Sequence, residues 1–196
     1  MKKRDLLFLA MAVTIISSCA DSSALIRANS TSIRSDVFEE LAGGGPVPPG
    51  YAVLRIVSAL KTHKPGIYSV KDIHGTSDYK LLLNIDGQAV LLQGSLREER
   101  VEPRGSGEDE AGEGIRYRFS KKMRLKAGTH KVVIAIPADD VAVEGKVALT
   151  EGTSNMLVVE PVYRSKPAKR RPGFYAAKSF EKGITGFRML LNGKTI

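Results

Sequence analysis

Few residues in this chain have the type and spacing to do chemistry. The one cysteine is Cys19, and the three histidines are His63, His74 and His130. A lone cysteine permits no intrachain disulfide framework. The histidines lie too far apart in sequence for a zinc-binding spacing, and neither a His-Glu-x-x-His run nor a cysteine pair accompanies them. A Gly-x-Ser-x-Gly elbow, a P-loop and a Rossmann glycine run are all missing. Asp139 and Asp140 are adjacent carboxylates, but paired catalytic acids need an enclosing cleft, so both read as loop residues. His130 reads as a structural hydrogen-bonding residue at the start of a strand. The carboxylates between Gly94 and Gly114 would suit Ca²⁺, yet they lack EF-hand spacing. The expectation is a non-enzyme with no catalytic residue, no metal and no cofactor.

Cys19 is different because of what precedes it. Met1-Lys2-Lys3-Arg4 is a positive start, and Leu6 to Ile16 is an apolar run too short to span a bilayer. Ile16, Ser17 and Ser18 then lead into Cys19, and the four together resemble a bacterial lipobox. That resemblance implies a signal peptide over residues 1–18, cleavage before Cys19 and a diacylglycerol-bearing thioether at its sulfur. One acyl chain holds a protein weakly and two hold it firmly, because each buried CH₂ contributes about 0.8 kcal/mol. Ala20 stands where Asp would resemble an inner-membrane retention signal, so the periplasmic face of the outer membrane is expected, with that of the inner membrane as the alternative. Export makes nucleic acid an improbable partner in spite of the charge.

That charge is +9 over 196 residues, and it is unevenly spread. From Arg164 to Ile196 nine basic residues face a single acid, Glu181. Within this stretch Lys166, Lys169, Arg170 and Arg171 form a dense basic run around Pro167 and ahead of Pro172. Such a run suits anionic phospholipid headgroups or a cell-wall polymer, where each Lys or Arg near the surface contributes about 1 kcal/mol.

The elements that would carry these residues are strands. Residues 19–50, rich in Ser, Gly and Pro, predict a flexible lipidated tether holding the domain roughly 30 Å from the membrane, with one short helix from Ser35 or Asp36 to Gly43. Residues 51–163 predict an all-β domain: a single antiparallel β-sandwich of about eight short strands, immunoglobulin- or prealbumin-like. Tyr51 to Leu60 is a long apolar strand, Tyr79 to Leu92 a hairpin around Asp86-Gly87, and Ile115 to Phe119 alternates apolar with polar. Residues 94–114 predict a mobile acidic loop, too poor in apolar side chains to offset ordering. Residues 164–196 predict a basic extension ending in a hairpin at Asn192-Gly193, whose strand adds to the sheet edge or pairs with itself.

Asn84-Ile85-Asp86-Gly87, Leu125 to Val133 with Gly128 and His130, and Val147 to Gly152 resemble the PEGA-type domain. Pro137-Ala138-Asp139-Asp140 replaces that family's usual Gly-Tyr. The resemblance implies a small β-sandwich of bacterial surface proteins and carries no catalytic residues. The chain thus reads as a membrane-anchored, non-catalytic binding or scaffolding module of the cell envelope. A carbohydrate- or peptidoglycan-binding module using exposed Tyr68, Tyr79, Tyr163 and Tyr175 is one alternative. A subunit of a multiprotein envelope assembly is another, with Tyr175 to Lys178 or Phe187 to Leu191 pairing with a partner's edge.

Overall fold

The computed structural model describes residues 22–43, 46–65, 71–101, 110–164 and 179–196. Among them are one helix, α1 (Ser22–Asn29), and eleven strands: β1 (Phe38–Glu40), β2 (Tyr51–Thr62), β3 (Lys80–Ile85), β4 (Gln88–Gln93), β5 (Ser95–Val101), β6 (Gly112–Lys126), β7 (Gly128–Ile136), β8 (Val141–Leu149), β9 (Ser154–Tyr163), β10 (Ile184–Leu191) and β11 (Lys194–Thr195). A 3₁₀ turn, Pro137–Asp139, joins β7 to β8.

The strands form two sheets. The larger runs β1-β6-β2-β9-β10-β11, with β5 also paired to β6, and the smaller runs β4-β3-β7-β8. Period-two alternation decides which side chains face inward. Leu54, Ile56, Tyr117, Met123 and Leu157 from the larger sheet join Leu81, Leu83, Val132, Ile134 and Val147 from the smaller in one buried cluster. Gly145 on β8 leaves room for Met189 of β10 from the other sheet, since a Cβ there would strike the Met189 methyl.

The architecture is all-β, as composition and alternation predict, with three differences. Eight strands, β2 to β9, lie within residues 51–163 as expected, but among the described residues three more, β1, β10 and β11, join the sheets from outside that range. The pairing is not wholly antiparallel either, because β2 and β9 run parallel from Val53↔Ser154 to Ser58↔Val159. Finally, the core draws on residues either side of 51–163: Val37 and Phe38 before it, Ile184, Phe187 and Met189 after it.

The stretch predicted as a tether is therefore ordered wherever it is described. The expected helix near Val37 is instead β1, paired with the end of β6 through Phe38↔Leu125 and Glu40↔Met123. Gln88 explains the choice. Its Oε1 accepts the Val37 and Phe38 N–H groups at 2.8 and 3.1 Å, and its Nε2 donates to the Phe38 carbonyl. The β3–β4 turn that positions Gln88 has positive φ at both Asp86 and Gly87, the geometry that Asp-Gly adopts most easily.

Residues 94–114 also differ from the expected loop. Ser95–Val101 is a strand laid against Gly112–Arg118 of β6. Its side chains bury little, so it is held by the backbone ladder and by cross-strand charge, with Glu99 on Arg116 at 2.7 Å and Glu113 near Arg100. Apolar content was the wrong criterion for an edge strand secured in this way. Residues 102–109 lie outside the described residues. At the C-terminus β10 pairs with β9 and turns through Asn192-Gly193 into β11.

Removing the Phe38 ring tests whether this N-terminal segment belongs to the fold. Phe38→Ala should lower the unfolding free energy by about 3 kcal/mol in urea denaturation, within the usual range for a buried ring. A free tether would give no change.

Candidate functional site

One end of the β2 strand opens onto a cluster of titratable side chains. His63 follows the last residue of β2. Asp72, His74 and Tyr79 come from the segment leading into β3, and Asp139 comes from the 3₁₀ turn after β7. Proline at the first position of that turn fixes its φ, and Asp140 closes it in the left-handed region, with its N–H on the Pro137 carbonyl. These three segments converge because β2, β3 and β7 deliver them to the same end of the two sheets.

The geometry is a chain of short contacts. The Asp72 carboxylate lies between two imidazoles, with Oδ2 2.6 Å from His63 Nε2 and Oδ1 2.5 Å from His74 Nδ1. It also accepts the His74 backbone N–H at 3.0 Å. The other His74 nitrogen, Nε2, is 2.9 Å from Asp139 Oδ1. Tyr79 donates its hydroxyl to Asp139 Oδ2 at 2.6 Å. The rings follow one another at a tilt, His63 to His74 at 4.4 Å, His74 to Tyr79 at 4.9 Å and Tyr79 to Tyr117 at 4.7 Å between centroids. Tyr79 and Tyr117 are wholly buried and the Tyr117 hydroxyl bonds the Thr76 carbonyl, so the cluster rests on a fixed floor.

The electrostatics follow from these contacts. Burial works to raise the Asp72 carboxyl, but the hydrogen bonds from His63 and His74 outweigh it and hold the group at about 2. Burial likewise works to lower His74, and bonds to Asp139 and Asp72 reverse it, raising the imidazole above its ordinary value. Tyr79 is pushed well above the usual phenol range, first by burial and then by the neighbouring Asp139 charge. Both the Asp72 and the His74 shifts favour the charged form over the neutral one.

His63, Asp72 and His74 offer ligand atoms that all lie within 4.8 Å of one another. Sequence spacing gave the opposite expectation, that the histidines are too scattered to act together, and it placed Asp139 in a plain loop. The fold brings residues 63 and 74 together while leaving His130 apart, and it sets Asp139, on a connecting turn as expected, beside His74. The local signal was Asp72-Ile73-His74, an acid and an imidazole two positions apart, running into the polar loop Gly75-Thr76-Ser77-Asp78.

A second polar cluster occupies the outer face beside β6. Lys61 is fully buried and donates to the Glu110 and Gly112 carbonyls at 3.0 and 2.7 Å, with its ammonium 5.6 Å from the centre of the Phe180 ring. Arg116 pairs with both Glu99 and Glu110, and the Tyr163 hydroxyl donates to Glu110 while accepting the Lys61 N–H. Further along the same outer face, Arg55, Ser120, Lys122, Asn155, Met156 and Asn192 line an open groove of about 600 Å³.

His130 takes the structural role its position predicted, held by the Asp86 carboxylate at 2.7 Å and the Lys126 carbonyl at 2.8 Å. The exposed tyrosine array does not form as expected: Tyr79 is buried and the Tyr163 hydroxyl is engaged, while Tyr68 and Tyr175 lie outside the described residues. Ile16, Ser17, Ser18 and Cys19 also lie outside them, as do Lys166, Lys169, Arg170, Arg171 and the edge stretch Tyr175 to Lys178. The other proposed edge, Phe187 to Leu191, is already paired with β9 along its length. No helix among the described residues is long and apolar enough to cross a membrane. The chain matches no family model, no curated protein and no solved structure.

Glu110 gives a pH test of the second cluster. Burial works to raise its carboxyl, but hydrogen bonds from Arg116 and Tyr163 outweigh it and leave the group below the usual range. Its folded value lies under its unfolded one, so this stabilisation is complete above about pH 4.3 and is lost as pH falls through the folded value. Glu110→Gln should flatten the acid limb of the stability–pH curve below about pH 5. An unchanged limb would place the acid sensitivity elsewhere.

Proposed function

We propose that the chain is a bacterial lipoprotein, acylated at Cys19 after removal of residues 1–18 and carried on the periplasmic face of the outer membrane. Its two sheets would then form an immunoglobulin- or prealbumin-like β-sandwich of PEGA type, serving as a non-catalytic binding and scaffolding module of the envelope. The lipobox-like Ile16-Ser17-Ser18-Cys19 supports the anchor. The observation that carries the reading further is the docking of α1.

That helix begins three residues after Cys19 and packs on the outer face of the smaller sheet, with Ile26 against Leu82 and Ala135. Ser23 donates to the Asp140 carboxylate at 2.7 Å, and Asn84 Nδ2 donates to the Asn29 carbonyl at 3.0 Å. Three residues span at most about 11 Å. A lipid on Cys19 would hold the smaller sheet close to the bilayer surface, with the groove facing away on the opposite sheet. On this reading the roughly 30 Å stand-off of a free tether would not apply.

Cys19→Ser should abolish incorporation of labelled palmitate and release the protein from the membrane fraction. Density-gradient separation of the two membranes then distinguishes the outer from the inner. A parent chain that takes up no label and fractionates as soluble would sink the proposal.

An anionic ligand is the second reading, favoured by Arg55 and Lys122 in the groove, neither of which forms an ion pair among the described residues. The basic run Lys166, Lys169, Arg170 and Arg171 adds to it by composition. Deleting the tail is a poor test, because it removes β10 and the buried Phe187 and Met189. Replacing those four residues with Gln in the full chain carrying Cys19→Ser should instead weaken binding to phosphatidylglycerol vesicles at least ten-fold in low salt, and the difference should shrink as salt is added. Equal binding by both proteins would remove the run from the interface.

A further inference from the structure

We propose that His63, Asp72 and His74 form a binding site for a divalent transition-metal ion of the Zn²⁺ class, with Asp139 as the residue that orients His74. The proposal is independent of lipid anchoring, so the two readings fail separately.

The donor set comes first. Two imidazole nitrogens and one carboxylate are the ligands of open zinc sites, and a site with two imidazoles suits Zn²⁺ better than the oxygen-seeking Ca²⁺ or Mg²⁺. In a tetrahedral shell at about 2.0 Å, ligand atoms stand about 3.3 Å apart. His63 Nε2, His74 Nδ1 and an Asp72 oxygen lie within 4.8 Å of one another. The two imidazole–Asp72 contacts are hydrogen bonds of 2.6 and 2.5 Å, so an ion would replace them and spread the ligands, by side-chain rotation that His63, the most exposed of the three, can supply.

The supporting shell is the stronger argument. A ligating histidine nearly always donates its second ring N–H to a carboxylate or carbonyl, which fixes tautomer and ring plane. His74 would bind through Nδ1, and its Nε2 already rests on Asp139 at 2.9 Å. Asp139 is fixed in turn by the buried Tyr79 hydroxyl at 2.6 Å. The acceptor behind the ligand is thus built into a separate element, the 3₁₀ turn after β7, and is locked from the core side.

Access completes the site. The His63 side chain is 43% exposed, whereas Asp72, His74 and Asp139 are each 16% exposed. An ion could therefore enter on the His63 side and meet a fixed floor. Three protein ligands leave a fourth position for water or an anionic group.

The test uses the full chain carrying Cys19→Ser, which removes its only thiol, and Zn²⁺ alone as the probe in isothermal titration. One ion per chain is expected, with a rise in melting temperature that grows with Zn²⁺ concentration. His63→Gln and Asp72→Asn should each weaken binding about 100-fold, and Asp139→Asn about 10- to 100-fold. His130→Gln should bind as the parent does. Co²⁺ should give the visible bands of a tetrahedral site, lost in His63→Gln. NMR of the parent chain removes dependence on variant folding: the His63 and His74 ring signals should move on Zn²⁺ addition while those of His130 stay. Unmoved His63 and His74 signals, or equal Zn²⁺ affinity in the parent and a folded His63→Gln chain, would overturn the proposal and leave an ion-free hydrogen-bonded chain.

Discussion

The double pairing of β2 is the constraint on which the structure depends. This strand is bonded to β6 along its whole length and to β9 over Val53 to Ser58. Its inward residues, Ala52, Leu54, Ile56 and Leu60, are buried to within 1% of complete exclusion from water. A slip of one residue would turn all four outward and send Arg55 into the core, so register is strongly determined. Three features follow from that register. Arg55 faces the groove, Lys61 falls beneath residues 110–112, and His63 leaves the strand beside Asp72 and His74.

The two polar clusters are tolerated because each group finds a partner before it meets apolar surroundings. No buried side-chain nitrogen or oxygen among the described residues lacks a hydrogen bond. Lys61 shows how close the balance is. Its ammonium has carbonyl acceptors and a ring face but no direct carboxylate, and burial lowers its pKa. At the other end of the sheets, Asp72, His74, Asp139 and Tyr79 alternate acceptor and donor, which stabilises charge that burial alone would suppress. Removing one member of such a chain leaves its neighbour unsatisfied, at a cost above that of a surface contact.

Much of the fold was legible in the residues. Asp86-Gly87 and Asn192-Gly193 announce their turns, and both take positive φ as Asp-Gly and Asn-Gly should. The alternation of Ile115, Tyr117 and Phe119 gives the buried face of β6. Other parts depended on contacts that local pattern does not encode. Nothing around Phe38 says that Gln88, 50 positions later, will bond both its N–H and its carbonyl. Leu96 to Val101 looks soluble and charged, and becomes a strand only because β6 offers an unpaired edge. The His63–Asp72–His74 cluster was obscured for the same reason: its residues are read as distant until β2 and β3 are packed, and Asp139 is 65 positions from His74.

The parallel junction between β2 and β9 also bears on how the molecule comes to be folded. Val53 meets Ser154, about a hundred positions along the chain, and β10 must then join β9. The central sheet cannot close while the polypeptide is still short of its last strands, and contacts of such long range make folding slow. A nascent chain would remain open until nearly its whole length had emerged, with the apolar β2 and β3 exposed to aggregation in the interval. Time to completion, more than strength once complete, is where this topology leaves the molecule vulnerable.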